Sequence, residues 1–111
     1  MDITFRTRKL ERTFNSETKL YAEYGQETGR VIIRRMAFLQ ASPSLAEVPH
    51  TPPLRRHQLT GLRAGKFAVD LIHPKRLVFE PNHDPVPRKE DGGIDLGRVT
   101  IIRILSVEDY H

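Results

Sequence analysis

Seven of the eight prolines fall in two segments, residues 41–56 (ASPSLAEVPHTPPLRR) and 81–97 (PNHDPVPRKEDGGIDLG). Proline locks φ and carries no backbone donor, so neither segment can form a regular helix or an inner strand. The prolines therefore cut the chain into three blocks. With 111 residues, 38% of them apolar, there is material for one core and not for two. Residues 1–111 are thus expected to form a single domain, with an irregular Pro-rich segment at 41–56 and an inserted acidic loop at 81–97. The absence of cysteine excludes a disulfide framework and thiolate metal sites. No apolar run approaches the roughly 20 residues of a bilayer span, and the opening MDITFRTRKLERTF has no apolar stretch of the secretory kind. The expectation is a cytoplasmic protein with no membrane partner.

The first block, residues 1–40, opens with alternation, Ile3 and Phe5 against Thr4 and Arg6, which predicts a short strand. Asn15 or Ser16 can cap a helix that continues through Leu20, Tyr21 and Tyr24, and Gly25 and Gly29 weaken its continuity. Beyond them Ile32, Met36 and Leu39 recur at helical spacing, with Arg30, Arg34 and Arg35 on the outside. This pattern predicts two helices, or one long irregular helix, ending before Pro43. In the second block Phe67, Val69 and Leu71 alternate with polar or small residues, as do Leu77 and Phe79, and His73-Pro74 lies between them: a hairpin. The third block, residues 98–107, is apolar on both faces, with Val99, Ile101, Leu105 and Val107 on one and Ile102 and Ile104 on the other. A strand buried on both faces belongs at the centre of its sheet. The predicted order is β-α-α-β-β-β, an α+β two-layer sandwich with an N-terminal strand and two helices packed on a mainly antiparallel sheet.

Charge is distributed unevenly. The chain carries 18 Lys+Arg against 14 Asp+Glu, a net +4. From Pro53 to Arg76 the bases Arg55, Arg56, Arg63, Lys66, Lys75 and Arg76 face the single acid Asp70, whereas the stretch from Glu80 to Asp95 is dominated by acids. Most of the cations are arginine, whose planar fork matches phosphate and carboxylate. A charge of +4 is also what an ordinary solvated surface carries, but the clustering points to a polyanionic partner, nucleic acid first.

Five histidines invite a metal, yet they show no i, i+4 pair and no HxH, so no metal site is expected. Gly92-Gly93 sits in an acidic loop rather than a phosphate loop, and no GxSxG nucleophile turn is present. What remains is His57 before the hairpin, Arg76 opening its second strand, and Tyr110-His111 after the third strand. Cleavage of RNA needs a base for the 2′-hydroxyl, a fixed cation for charge building on the phosphate oxygens, and an acid for the departing 5′-oxygen. Histidine serves as base or acid near neutrality, and arginine, always charged, serves as the clamp. No cofactor is called for, since RNA supplies its own nucleophile. The plainer reading makes His57 a hydrogen-bonding loop residue and Arg76 an exposed hairpin cation.

The motifs R-H-Q-L-x-G-x-x-x-G-x-F (56–67), K-R-L-V-F-E (75–80) and V-E-D-Y-H (107–111) resemble the HigB branch of the RelE/ParE toxin superfamily. Its members are the toxins of bacterial type II toxin–antitoxin modules, also called plasmid-maintenance killer proteins. The resemblance covers residues 54–80 and 98–111, and the first forty residues match only in element order and opening strand. It implies a RelE-like fold and a metal-independent, ribosome-dependent mRNA interferase, an endoribonuclease acting on translated mRNA. By matching positions, His57 and His111 are the histidines of the cleft, Arg76 the phosphate-binding cation and Tyr110 its neighbour. His111 leads as acid/base residue with His57 in support, and which is acid and which base stays open. Arg55, Arg56, Arg63, Lys66 and Lys75 become the RNA-binding footprint, with salt-sensitive affinity.

The implied partners are a helix-turn-helix antitoxin of the HigA kind, mRNA and the small ribosomal subunit. The helix face bearing Arg30, Arg34 and Arg35 is either a docking face for the antitoxin or a solvated surface. Two positions depart from the family pattern. Thr60 stands where the family has lysine in L-K-G, leaving Arg63 or Lys66 to compensate. Segment 81–97 replaces a tight turn, and would shield the site, contact a partner or project into solvent. Two further readings accompany the first: a gyrase inhibitor of the ParE branch, which lacks the terminal Tyr/His, and an inactive relic that still binds antitoxin.

Overall fold

Short polar residues start the first two helices. Thr7 Oγ1 accepts from the Leu10 amide at 3.1 Å and opens α1 (Arg8–Phe14), and Ser16 Oγ accepts from the Lys19 amide at 3.2 Å and opens α2 (Glu17–Tyr24). Gly25, at φ +85°, ends α2 and starts α3 (Gln26–Ala41), a backbone angle glycine adopts without strain. Among the described residues there are thus three α-helices where the sequence pattern predicted two, or one long irregular one. The extra one, α1, is seven residues long and puts only Leu10 and Phe14 toward the interior, too short a stretch to show a period. Gly29 does not interrupt the helix: it lies inside α3, where an added Cβ would stand 2.6 Å from the Tyr21 ring, so its role is close approach of α2.

The structure is a computed structural model that describes residues 1–109. Its strands are β1 (Asp2–Phe5), β2 (His57–Gln58), β3 (Phe67–Asp70), β4 (Lys75–Pro81) and β5 (Ile101–Asp109), joined in one sheet in the order β1-β5-β4-β3-β2. β1 runs parallel to β5, and the other neighbours are antiparallel. The expected α+β class, the hairpin and the inner position of the last strand are all present. The predicted order had one strand fewer: β2 is only two residues long and pairs His57 with Ala68.

Phe14, Leu20, Ile32 and Leu39 from the three helices pack on Phe67, Val69, Leu77, Phe79, Ile102 and Ile104, all on one face of the sheet. The Phe67 and Phe79 rings stack at 6.2 Å between centroids. The predicted face assignment of β5 needs correction. The ladder slips by one residue between Val78 and Phe79, so Val78 pairs with Ser106 while Phe79 pairs with Ile104. Leu105 is the extra residue of this bulge, and past it every side chain changes face. Val107 therefore joins Ile102 and Ile104 against the helices, while Leu105 keeps its predicted place on the opposite face, with Leu59, Ala68 and Val78.

The two proline-rich segments close one end of this core together. Leu45, Val48 and Leu54 from the first, and Ile94 with Val99 from the second and its exit, are buried. The Leu45 amide donates to the Val99 carbonyl at 3.0 Å. His83 Nε2 accepts from the Thr100 and Ile101 amides at 3.1 and 3.3 Å, and Arg88 and Ile94 form a single bridge. Segment 81–97 is thus anchored on the core at Pro81 and Ile94, while residues 88–93 between them are exposed to solvent. Arg35 is also not on the outer face: its Nε donates to the Asp70 carbonyl at 2.7 Å, and burial lowers its pKa. Among the described residues no helix is long and apolar enough to cross a membrane.

Candidate active site on the uncovered sheet face

The strand register decides which side chains share the face that the helices leave open. Asp70 pairs with Arg76 and Arg76 with Glu108, and the adjoining row runs His57, Ala68, Val78, Ser106. Alternation sends Arg76, Glu108, Ser106 and His57 to the side of Ala68 and Val78, away from the core. The turn Gly61–Arg63 then brings Arg63 over the same surface. Residues His57, Gln58, Leu59, Thr60, Arg63 and Arg76 line one groove. A neighbouring hollow, which shares His57, is lined by Arg55, Asp70, His73 and Lys75 among others. Cations from three separate stretches of sequence thus meet on one surface.

His57 is held by its own loop. Its Nδ1 lies 2.9 Å from the Arg55 carbonyl, an atom that only accepts. The neutral ring is therefore protonated at Nδ1, and its basic lone pair is on Nε2. Arg55 presents that carbonyl from a left-handed backbone (φ +47°), costly for a residue with a Cβ. Its guanidinium meets Asp70 Oδ2 at 3.2 Å.

Glu108 is tightly held beside the groove. Arg63 Nη1 donates to Oε1 at 2.7 Å and Nη2 to Oε2 at 2.5 Å, and Ser106 Oγ donates to Oε2 at 2.6 Å. The Arg63 hydrogen bonds, with help from Ser106 and the charge of Arg76, hold the Glu108 carboxyl at about 2, below its usual 4.5. A carboxyl with a depressed folded-state pKa contributes stability above its unfolded pKa and loses it as pH falls through the folded one. The stability difference between the native chain and Glu108→Gln is expected to stay constant above about pH 4.5 and to shrink between pH 4.5 and 2. Urea midpoints measured across that range check this.

The other sequence-derived positions divide clearly. Arg76, His57 and Arg63 line the groove, and Arg55 and Lys75 line the adjoining hollow. Arg56 is turned away: its Nε donates to the Val48 carbonyl at 2.8 Å in the Pro-rich segment, and burial lowers its pKa. Lys66 accepts the Leu59 amide at its carbonyl just before β3, and it lines neither cavity. Tyr110 and His111 lie outside the described residues. Among those described, no three His, Asp or Glu side chains gather as a metal site requires. Glu108 and Ser106 escaped the sequence reading, because unbroken alternation puts them on the same side as Ile102 and Ile104, and only the bulge at Leu105 reverses that.

No protein-family model matches the chain, and neither does any curated protein or solved structure.

Proposed function

We propose that this chain is the toxin of a type II toxin–antitoxin module of the RelE/HigB kind, and that it cuts mRNA on the ribosome without a metal. The observation that supports this reading is the groove in which His57, Arg63 and Arg76 come together. His57, with its lone pair on Nε2, suits the base that removes the 2′-hydroxyl proton. The 2′-oxygen then bonds to phosphorus while the bond to the 5′-oxygen breaks, leaving a 2′,3′-cyclic phosphate. Arg76 offsets charge on the non-bridging oxygens in that step. The remaining part, the acid that protonates the leaving 5′-oxygen, falls to His111 beside Tyr110 by the family resemblance. Arg55 and Lys75 extend the basic surface along the strand ends, in keeping with a single-stranded polyanion. In this reading a helix-turn-helix antitoxin is the cognate partner and the small ribosomal subunit the site of action.

Purified protein added to a cell-free translation reaction is expected to cut the transcript at positions that primer extension maps. The same chain lacking residues 110–111 is expected to leave it whole while keeping the native circular dichroism spectrum. An intact transcript with the full chain overturns the proposal, and cutting by the shortened chain removes Tyr110 and His111 from the site.

A further inference from the structure

Arg63 and Arg76 line one groove, and both act on Glu108. Arg76 stands opposite it on the neighbouring strand, and Arg63 grips both its oxygens in the two-pronged geometry that guanidinium also uses on phosphate. The pair is not sealed in the interior: the Arg63 and Glu108 side chains remain 36% and 29% accessible. Water reaches the pair, so a phosphate in solution can compete with the carboxylate for the same two nitrogens of Arg63.

We propose that Arg63 and Arg76 form a phosphate-binding site in which the Glu108 carboxylate is the resident internal anion, displaced from Arg63 when a phosphate group enters. Naming RNA as the source of that phosphate rests on the function proposed above, whereas the site itself does not. The carboxylate holds the Arg63 guanidinium beside the charge of Arg76, and Ser106, which already donates to Oε2, remains a donor for the carboxylate once Arg63 is released. This arrangement also bears on Thr60, which stands where the resembled family has a lysine: Arg63, three residues on, supplies a cation whose charge is masked until substrate arrives.

The test titrates inorganic phosphate, and separately a single-stranded RNA made uncleavable by 2′-O-methylation, into the full chain and its variants. The Arg63 Nε–Hε resonance reports binding of phosphate, and fluorescence anisotropy reports binding of RNA. Glu108→Gln is expected to bind both about tenfold more tightly, since it trades a charged competitor for a neutral one. Glu80→Gln removes the same charge from the same face of the sheet, on β4, where Glu80 is paired with Arg103 at 2.7 Å, and is expected to bind as the native chain does. Adding Arg63→Gln to Glu108→Gln is expected to cancel the gain. Glu108→Asp, which keeps the charge but cannot span both nitrogens, is expected to show a smaller gain and serves should the glutamine variant not fold.

Equal or weaker binding in the Glu108 variants, or an equal gain in Glu80→Gln, overturns the proposal. A gain for phosphate without one for RNA keeps the site and overturns RNA as its ligand. A gain for both in a protein that cuts no transcript leaves the site standing and removes the nuclease reading.

Discussion

Replacing Arg76 with alanine is expected to slow transcript cleavage by about 10²–10³-fold, the usual cost of removing one fixed donor from developing anionic charge. The fold should survive, for a reason visible in the register. Arg76 lies between Asp70 and Glu108, and each of those acids has a second arginine: Arg55 at 3.2 Å from Asp70, and Arg63 in a two-pronged contact with Glu108. Neither carboxylate is left without a cation when Arg76 is shortened. Arg76→Lys keeps the charge and loses the planar fork, so its activity should fall between the two. Single-turnover cleavage on programmed ribosomes, with circular dichroism on the same preparations, measures both effects. Cleavage by Arg76→Ala at the native rate would sink the assignment of Arg76 as the phosphate clamp.

Leu45→Ala is expected to cost about 2–5 kcal/mol, the range for truncating a fully buried leucine. Leu45 lies in the first proline-rich segment, is wholly buried, and belongs to the same cluster as Phe79 and Ile102. Domains are held by only about 5–15 kcal/mol, so the variant should unfold at markedly lower urea. Leu62→Ala is the contrasting case. Leu62 sits at the tip of the turn beside the groove at 105% relative exposure, and its loss should move stability by less than about 0.5 kcal/mol. Equilibrium urea unfolding compares the two directly. A neutral Leu45→Ala would mean that segment 41–56 covers the core without holding it.

The different weights of Leu45 and Leu62 could not be read from the chain, since both are leucines among prolines, glycines and polar residues. Helical spacing of Ile32, Met36 and Leu39, alternation of Phe67, Val69 and Leu71 and of Leu77 and Phe79, and the two-sided apolar run at 98–107 were enough for an α+β domain with an inner last strand. These are periodic signals, and periodicity is a local property that follows from backbone geometry. The candidate site was visible only as parts: His57, Arg76 and the basic cluster, chosen for their chemistry.

Which of those parts meet was settled by long-range pairing. The two-residue strand β2 is too short to show alternation, yet its pairing with Ala68 places His57 on the open face. One inserted residue, Leu105, reverses the facing of everything after it, which carries Glu108 out of the core side and into the grip of Arg63. Arg56 and Arg35, by composition equal to the other arginines, are drawn off to carbonyls of Val48 and Asp70. Residue type and local period are set by neighbours along the chain, and they brought the architecture into view. Facing past a bulge, and the choice of partner for each cation, depend on residues about 8 to 45 positions away, so only the folded sheet decided them.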